Sequence, residues 1–237
     1  EIHNHMKFFL APMQGLTGYT VRNAFHHHFD YIDKYYTPFI PAAKRMNAKI
    51  KRDIDPVNND GITLIPQAMS IVADEVIDLH RQLVPYGYDE INVNLGCPSG
   101  TVVSKKRGSG ILAYPDMLDS FLDELYTKAD FPVSIKTRVG FNDDELWPNL
   151  IEIYSKYPIS ELTVHPRVQK DFYKNTPRMD DFALAVQKIN PDKTILCYNG
   201  DITDANSFKA LTDLFPDIDE IMIGRGLFAN PALIAGL

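Results

Sequence analysis

The residues able to do chemistry are few and chemically coherent. Lys136 and His165 are two cationic or proton-donating groups, a pair suited to an anion or to a ring that becomes anionic. Gln67 can donate and accept hydrogen bonds at once. Pro12-Met13 offers an apolar, polarisable surface for a flat ring. Two strings, Asn199-Gly200-Asp201 and Gly224-Arg225-Gly226, combine glycine, which lets backbone approach a ligand, with a guanidinium whose forked donors match phosphate oxygens. Cys97 lies between Gly96 and Pro98 with no second cysteine or histidine near it in sequence, which argues against a metal site. A thiol in such a loop can serve as general acid or nucleophile. Cys197, inside an apolar run, reads as an inert buried thiol.

What must position these residues is a regular alternation. Short apolar runs expected to be strands cover residues 8–12, 32–37, 62–67, 90–94, 133–137, 161–165, 194–198 and 220–224. Most are near-continuously apolar, as for strands buried on both faces. Helical spacing occupies residues 17–28, 73–85, 115–128, 144–157, 179–189 and 204–215, while the basic stretch 42–53 is less clear. Asn230-Pro231 reads as the cap and first residue of a last helix that is cut short. Alternating strands and helices imply a parallel sheet with right-handed crossovers, and eight units imply a (β/α)8 TIM barrel. In such barrels the chemistry sits where strands end. Met13, Gln67, Asn94, Cys97, Lys136, Arg138, His165, Asp201 and Arg225 all lie at or just past predicted strand ends. The two glycine strings follow strands seven and eight, the usual phosphate site of these barrels. Together the strand ends read as one side of a flavin phosphate.

Composition sets the outer bounds. At 237 residues, with 45% hydrophobic and 23% charged residues, the chain can bury a large core and is not a disordered segment. Its apolar runs are too short to span a membrane. The apolar stretch after Met6 ends at Pro12, short of the roughly 7–15 residues of a secretory signal core. Two cysteines make no disulfide framework, so a cytoplasmic protein is expected. The net charge of −7 argues against indiscriminate nucleic-acid binding, but it is unevenly spread. Residues 1–107 hold twelve Lys/Arg against eleven Asp/Glu, and residues 108–237 twelve against twenty. Lys44, Arg45, Lys49, Lys51 and Arg52 form one basic group and Lys105-Lys106-Arg107 a second. Such groups are ordinarily solvated faces, yet two together can make a local anion-binding surface.

Met13, Gly96-Cys97-Pro98 with Gly108-Ser109, Lys136-x-Arg138, Val164-His165, Asn199-Gly200-Asp201-Ile202 and Gly224-Arg225-Gly226-Leu227 resemble the tRNA-dihydrouridine synthases, in order, over about residues 8–234. The resemblance implies an FMN-containing barrel that reduces a uridine double bond in tRNA with NADPH as electron source. It implies that Pro12, Met13, Gln14, Gln67, Lys136, His165, Asn199, Gly200, Asp201, Gly224 and Arg225 hold FMN. Cys97 would be the proton donor, and Asn94, Arg138 and Tyr173 would face the uracil. No metal is implied, and a monomer is expected.

Two features depart from the family pattern. Ser99-Gly100-Thr101 stands where lysines often follow the Cys-Pro pair, and Pro166 where glycine is commoner. The resemblance also implies a C-terminal helical domain, which is expected to lie beyond the residues of this chain. The expected organisation is therefore an appended or disordered N-terminus at residues 1–5 and a catalytic barrel at residues 6–237, belonging to a protein that continues further. Two other readings remain: a related FMN barrel acting on a small molecule, and an RNA-binding barrel without chemistry.

Overall fold

A computed structural model of the chain describes residues 6–237; the expected separate N-terminus, residues 1–5, lies outside the described residues. Ten strands are present among the described residues: β1 (Lys7–Leu10), β2 (Tyr35–Tyr36), β3 (Ile40–Pro41), β4 (Leu64–Ile65), β5 (Gln67–Met69), β6 (Ile91–Leu95), β7 (Val133–Gly140), β8 (Glu161–Val168), β9 (Ile195–Asn199) and β10 (Glu220–Ile223). The main sheet is parallel, with order β1-β10-β9-β8-β7-β6-β5-β3. β2 pairs with β4, and a parallel bridge joins Phe9 to Lys34. These links carry the sheet round from β6 through β5, β4 and β2 to β1, so the strands curl into the expected barrel.

The second and third strands differ from expectation for local reasons. The second is confined to Tyr35–Tyr36 plus the Lys34 bridge. The third is split at Pro66, which has no N–H to give to a ladder. There the Thr37 hydroxyl accepts from the Gln67 nitrogen at 2.9 Å and the Pro66 carbonyl accepts from Asn92 at 2.9 Å. β3 was not expected; it pairs with the far end of β5 and leads the chain outward over the rim.

The helices are α1 (Tyr19–His28), α2 (Ala48–Ile54), α3 (Ala73–Leu83), α4 (Gly100–Val103), α5 (Pro115–Lys128), α6 (Trp147–Lys156), α7 (Met179–Lys188), α8 (Ala205–Leu214) and α9 (Arg225–Ala229). α5 begins on a proline at its first position and buries Leu118, Phe121, Leu122 and Leu125 against the sheet. Each such leucine contributes roughly 1.5–3 kcal/mol. α8 starts at a reciprocal cap between Asp204 and Ser207. The last helix is not the one expected: α9 comes earlier, and residues Leu233–Gly236 form a 3-10 turn, with Asn230 Oδ1 accepting from Ala232. None of the helices among the described residues is long and apolar enough to cross a membrane.

Side chains alternate along the strands and fill the barrel in layers. At its floor, Glu161 accepts hydrogen bonds from the Tyr36 hydroxyl and the Lys34 ammonium, both at 2.6 Å. Buried Glu220 lies beside it, with Oε2 taking no hydrogen-bond partner among the described residues. Above come Phe9, Ile65, Cys197 and Met222 as an apolar plug. Cys197 is fully buried, and burial pushes its thiol far up, as befits an inert group. The top layer is polar and forms the candidate site.

Candidate active site

The C-terminal mouth of the barrel holds a cavity of about 980 Å³. All fifteen residues singled out from the sequence line it: Pro12, Met13, Gln14, Gln67, Asn94, Cys97, Lys136, Arg138, His165, Tyr173, Asn199, Gly200, Asp201, Gly224 and Arg225. Their distribution over seven strand ends and the loops beyond explains how residues more than 200 positions apart converge.

On one side an amide relay runs beneath the cavity. Asn92 donates to Ser134 Oγ at 2.9 Å, Gln67 donates to Asn92 at 2.8 Å, and Asn94 donates to Gln67 Oε1 at 2.9 Å. Asn94 Oδ1 then accepts from the backbone nitrogens of Gly96 (3.1 Å) and Cys97 (2.9 Å). The Cys97 carbonyl is held by the backbone nitrogen (3.0 Å) and hydroxyl (2.8 Å) of Ser109. Gly108 precedes that clamp with φ +55°, and a Cβ there would come within 2.7 Å of the Cys97 carbonyl oxygen. Ser109 was part of the recognised motif, but only the fold shows what it grips.

On the other side the site is cationic. Lys136 faces the cavity and takes no hydrogen-bond or ion-pair partner among the described residues. Removal from bulk water, with Arg138 nearby, brings its ammonium down to about 8. Arg138 donates to the Val168 carbonyl at 3.0 Å and is itself lowered to about 10, chiefly by burial. His165 is held well below its ordinary value by burial and by Arg138, Lys136, Arg167 and Arg225, so it is neutral. Arg167, which follows His165 at the end of the sixth predicted strand, was given no role from the sequence, yet the fold packs it against the site. It is 1% exposed, donates to His165 Nε2 at 3.0 Å and forks onto Asp201 at 3.0 and 2.5 Å. Its position two residues after His165 on a strand puts both on one face, which was the available signal.

Asp201 is shared between Arg167 and Arg225, the latter at 2.8 Å. Burial pushes its carboxyl up, but the two guanidinium groups outweigh this and hold it below the usual range. Its side chain thus neutralises and orients two arginines. Arg225 also donates to the Tyr173 carbonyl at 3.1 Å, and the Tyr173 ring lies between the Arg138 and Arg225 guanidinium groups, 5.5 and 5.1 Å from its centroid. Phe39 and Phe172 complete an aromatic margin that the sequence did not reveal.

The glycines divide by role. A Cβ at Gly224 would sit 3.3 Å from Ala11 Cβ and 3.8 Å from Met13 Sδ, all three residues lining the cavity. Gly200 and Gly226 answer to the protein itself: a Cβ would lie 2.0 Å from the Tyr198 hydroxyl and 2.1 Å from the Ile202 carbonyl oxygen, respectively. Ligand approach is therefore not needed to explain those two.

The basic groups also reach this rim. Segment 42–54 follows β3 and the 105–107 turn follows β6. Lys44, Arg45, Lys49, Lys51, Arg52, Lys105 and Lys106 are exposed and have no ion-pair partner among the described residues. Buried Arg22 anchors the first segment through Asp53 (3.2 Å) and Asn59 (3.0 Å). Arg107 instead pairs with Glu75 at 3.4 Å.

Residues 9–236 match the family model described as dihydrouridine synthase (Dus). The chain is 28% identical over 236 residues to tRNA-dihydrouridine synthase B of Pasteurella multocida, covering 96% of this chain and 67% of that protein. It is 33% identical over 154 residues to a probable tRNA-dihydrouridine synthase of Staphylococcus aureus, covering 63% of this chain and 46% of that relative's length. A crystal structure of 3-hexulose-6-phosphate synthase from Salmonella typhimurium shares the fold, with TM-score 0.59 and 14% identity over 98% of this chain and 94% of that one.

Proposed function

The chain belongs to the dihydrouridine synthase family, and from that premise we propose that it reduces uridine to 5,6-dihydrouridine in tRNA, with FMN as bound cofactor and NADPH as electron donor. The observation that carries this reading is a thiol, Cys97, on the same cavity as a partnerless ammonium, Lys136. An unpaired cation so placed calls for an electron-rich ligand group. The residues fit a flavin phosphate: Lys136 and His165 are donors to an electron-rich ring, Gln67 is a polar edge, Met13 is an apolar face, and Arg225 beside Gly224 is a phosphate clamp. When bound, FMN supplies hydride to carbon 6 of the uracil and is replenished by NADPH.

The protein's own residues do the rest. The base must leave its stack to reach the cavity floor, since neither reacting carbon is accessible within folded RNA. Tyr173 and Phe172 at the mouth offer it aromatic surface. Cys97 Sγ donates its proton to carbon 5 as carbon 6 is reduced. Negative charge developing on the uracil carbonyl meets the Arg138 guanidinium and the one Asn94 amide hydrogen not spent on Gln67. Fixed donors of this kind lower the barrier because they need no reorganisation. The exposed cations at positions 44–52 and 105–106 suit the phosphates of a bound RNA.

The test is direct. Purified protein should be yellow, NADPH should bleach it, and tRNA should gain dihydrouridine. Cys97→Ala should still be bleached while forming little product. A chain that stays colourless after incubation with FMN, or a Cys97→Ala variant with normal product yield, sinks the cofactor or the proton-donor assignment respectively.

A further inference from the structure

We propose that Arg167 is a positioning residue that fixes His165 as a neutral imidazole with its proton on Nδ1. A guanidinium has donors only, so the 3.0 Å contact between Arg167 Nη1 and His165 Nε2 requires a lone pair on Nε2. The ring proton must then sit on Nδ1. That nitrogen takes no protein partner among the described residues, although the imidazole is 7% exposed and lines the cavity. An N–H that lines the cavity and has no protein acceptor among the described residues is poised to donate to an electron-rich atom of a cavity ligand.

Arg167 can set this tautomer because it cannot turn away. Asp201 holds Nη1 and Nη2 at 3.0 and 2.5 Å, the Lys174 carbonyl takes Nε at 3.0 Å, and the Asn175 carbonyl takes Nη2 at 2.7 Å. Lysine could not reproduce such a fork. The groups facing His165 reinforce neutrality. Lys136 and Arg138 come from β7, Arg167 from its own strand and Arg225 from α9, while the Asp201 carboxylate is already shared by two of these arginines. Tyr173 stacks on the ring with centroids 6.5 Å apart. His165 therefore acts as a directional donor, whereas its sequence position beside Lys136 also allowed a second cation. This assignment of the donated hydrogen bond rests on the FMN reading; the tautomer itself does not.

The experiment is a long-range 1H–15N correlation spectrum of the histidine rings in the full chain without cofactor, over about pH 5.5 to 8.5. His165→Gln identifies the signal. The expected result is an unprotonated Nε2 and protonated Nδ1 throughout. An Nε2-protonated ring, or a titration midpoint inside that range, overturns the proposal. In Arg167→Met the expected result is a mixture of tautomers, a midpoint moved up into the range, and an FMN dissociation constant raised about tenfold. If Arg167→Met binds FMN less tightly but keeps the parental tautomer and its resistance to titration, Arg167 is merely structural and the proposal falls. Should that variant not fold, the wild-type spectrum still decides the tautomer. Absence of FMN binding by the wild type, with the tautomer as expected, would remove the flavin reading and leave this one standing.

Discussion

The backbone nitrogen of Cys97 donates to the side-chain oxygen of Asn94 at 2.9 Å, from the strand end that also carries the loop. Ser109 grips the Cys97 carbonyl from the opposite side. The thiol is thus borne by a residue whose peptide groups are held at both ends, which is what a proton donor needs if it is to meet one carbon of a flat ring. Asn94 joins this clamp to Gln67, so the thiol loop and the cavity floor form one hydrogen-bonded unit.

Asn94→Ala should release that unit. A displacement of about 1 Å at a reacting group can cost on the order of 100-fold in rate, so single-turnover dihydrouridine formation should fall by about 10–100-fold. Ser109→Ala, which leaves the Ser109 backbone bond in place, should have a smaller effect. Rates at parental level in Asn94→Ala would show that the clamp has no catalytic consequence.

Lys136→Met should stabilise the cofactor-free chain at neutral pH by on the order of 2 kcal/mol, because it removes an unpaired cation from a partly desolvated place. Folding lowers this ammonium from 10.5 to about 8. The native chain therefore carries the cost in full below about pH 8 and sheds it as pH rises from there through 10.5, where the unfolded lysine also loses its proton. Urea unfolding at pH 7 and pH 10 should show a gain that shrinks with pH. FMN affinity should fall in the same variant, and a destabilised Lys136→Met chain would contradict the assignment.

Glu220→Gln should stabilise the protein increasingly toward alkaline pH. Burial and the neighbouring Glu161 raise the Glu220 carboxyl, so the native state keeps a proton that the unfolded chain releases near 4.5. The wild-type contribution is present in full below that value and is lost as pH climbs through the raised one. Thermal unfolding of the two proteins near pH 5 and near pH 9 would measure this. A difference independent of pH would mean that Glu220 does not titrate in that window.

Charge reversal at Lys44, Arg45, Lys105 and Lys106 should weaken tRNA binding and flatten its dependence on salt, by roughly 0.7–0.9 in the log–log slope for each phosphate that is no longer neutralised. Filter binding at several salt concentrations reads both quantities. Unchanged affinity and slope would make these exposed groups solvated faces only.

Much of this molecule was legible in its sequence. Strand-like runs alternating with amphipathic stretches specified the barrel, because a buried parallel strand and a half-buried helix impose different periods. Barrel topology then placed Lys136, His165, Asp201 and Arg225 on one rim from chain order alone. What sequence could not decide was which atoms meet within 3 Å, since loop paths and side-chain directions depend on neighbours distant in the chain. Only the tertiary structure shows that Asp201 is taken up by Arg167 and Arg225, and that Gly200 and Gly226 are small because Tyr198 and Ile202 press against them. It also makes Arg167, which the sequence left without a role, the partner of His165, because strand alternation turns both inward and Asp201 grips Arg167.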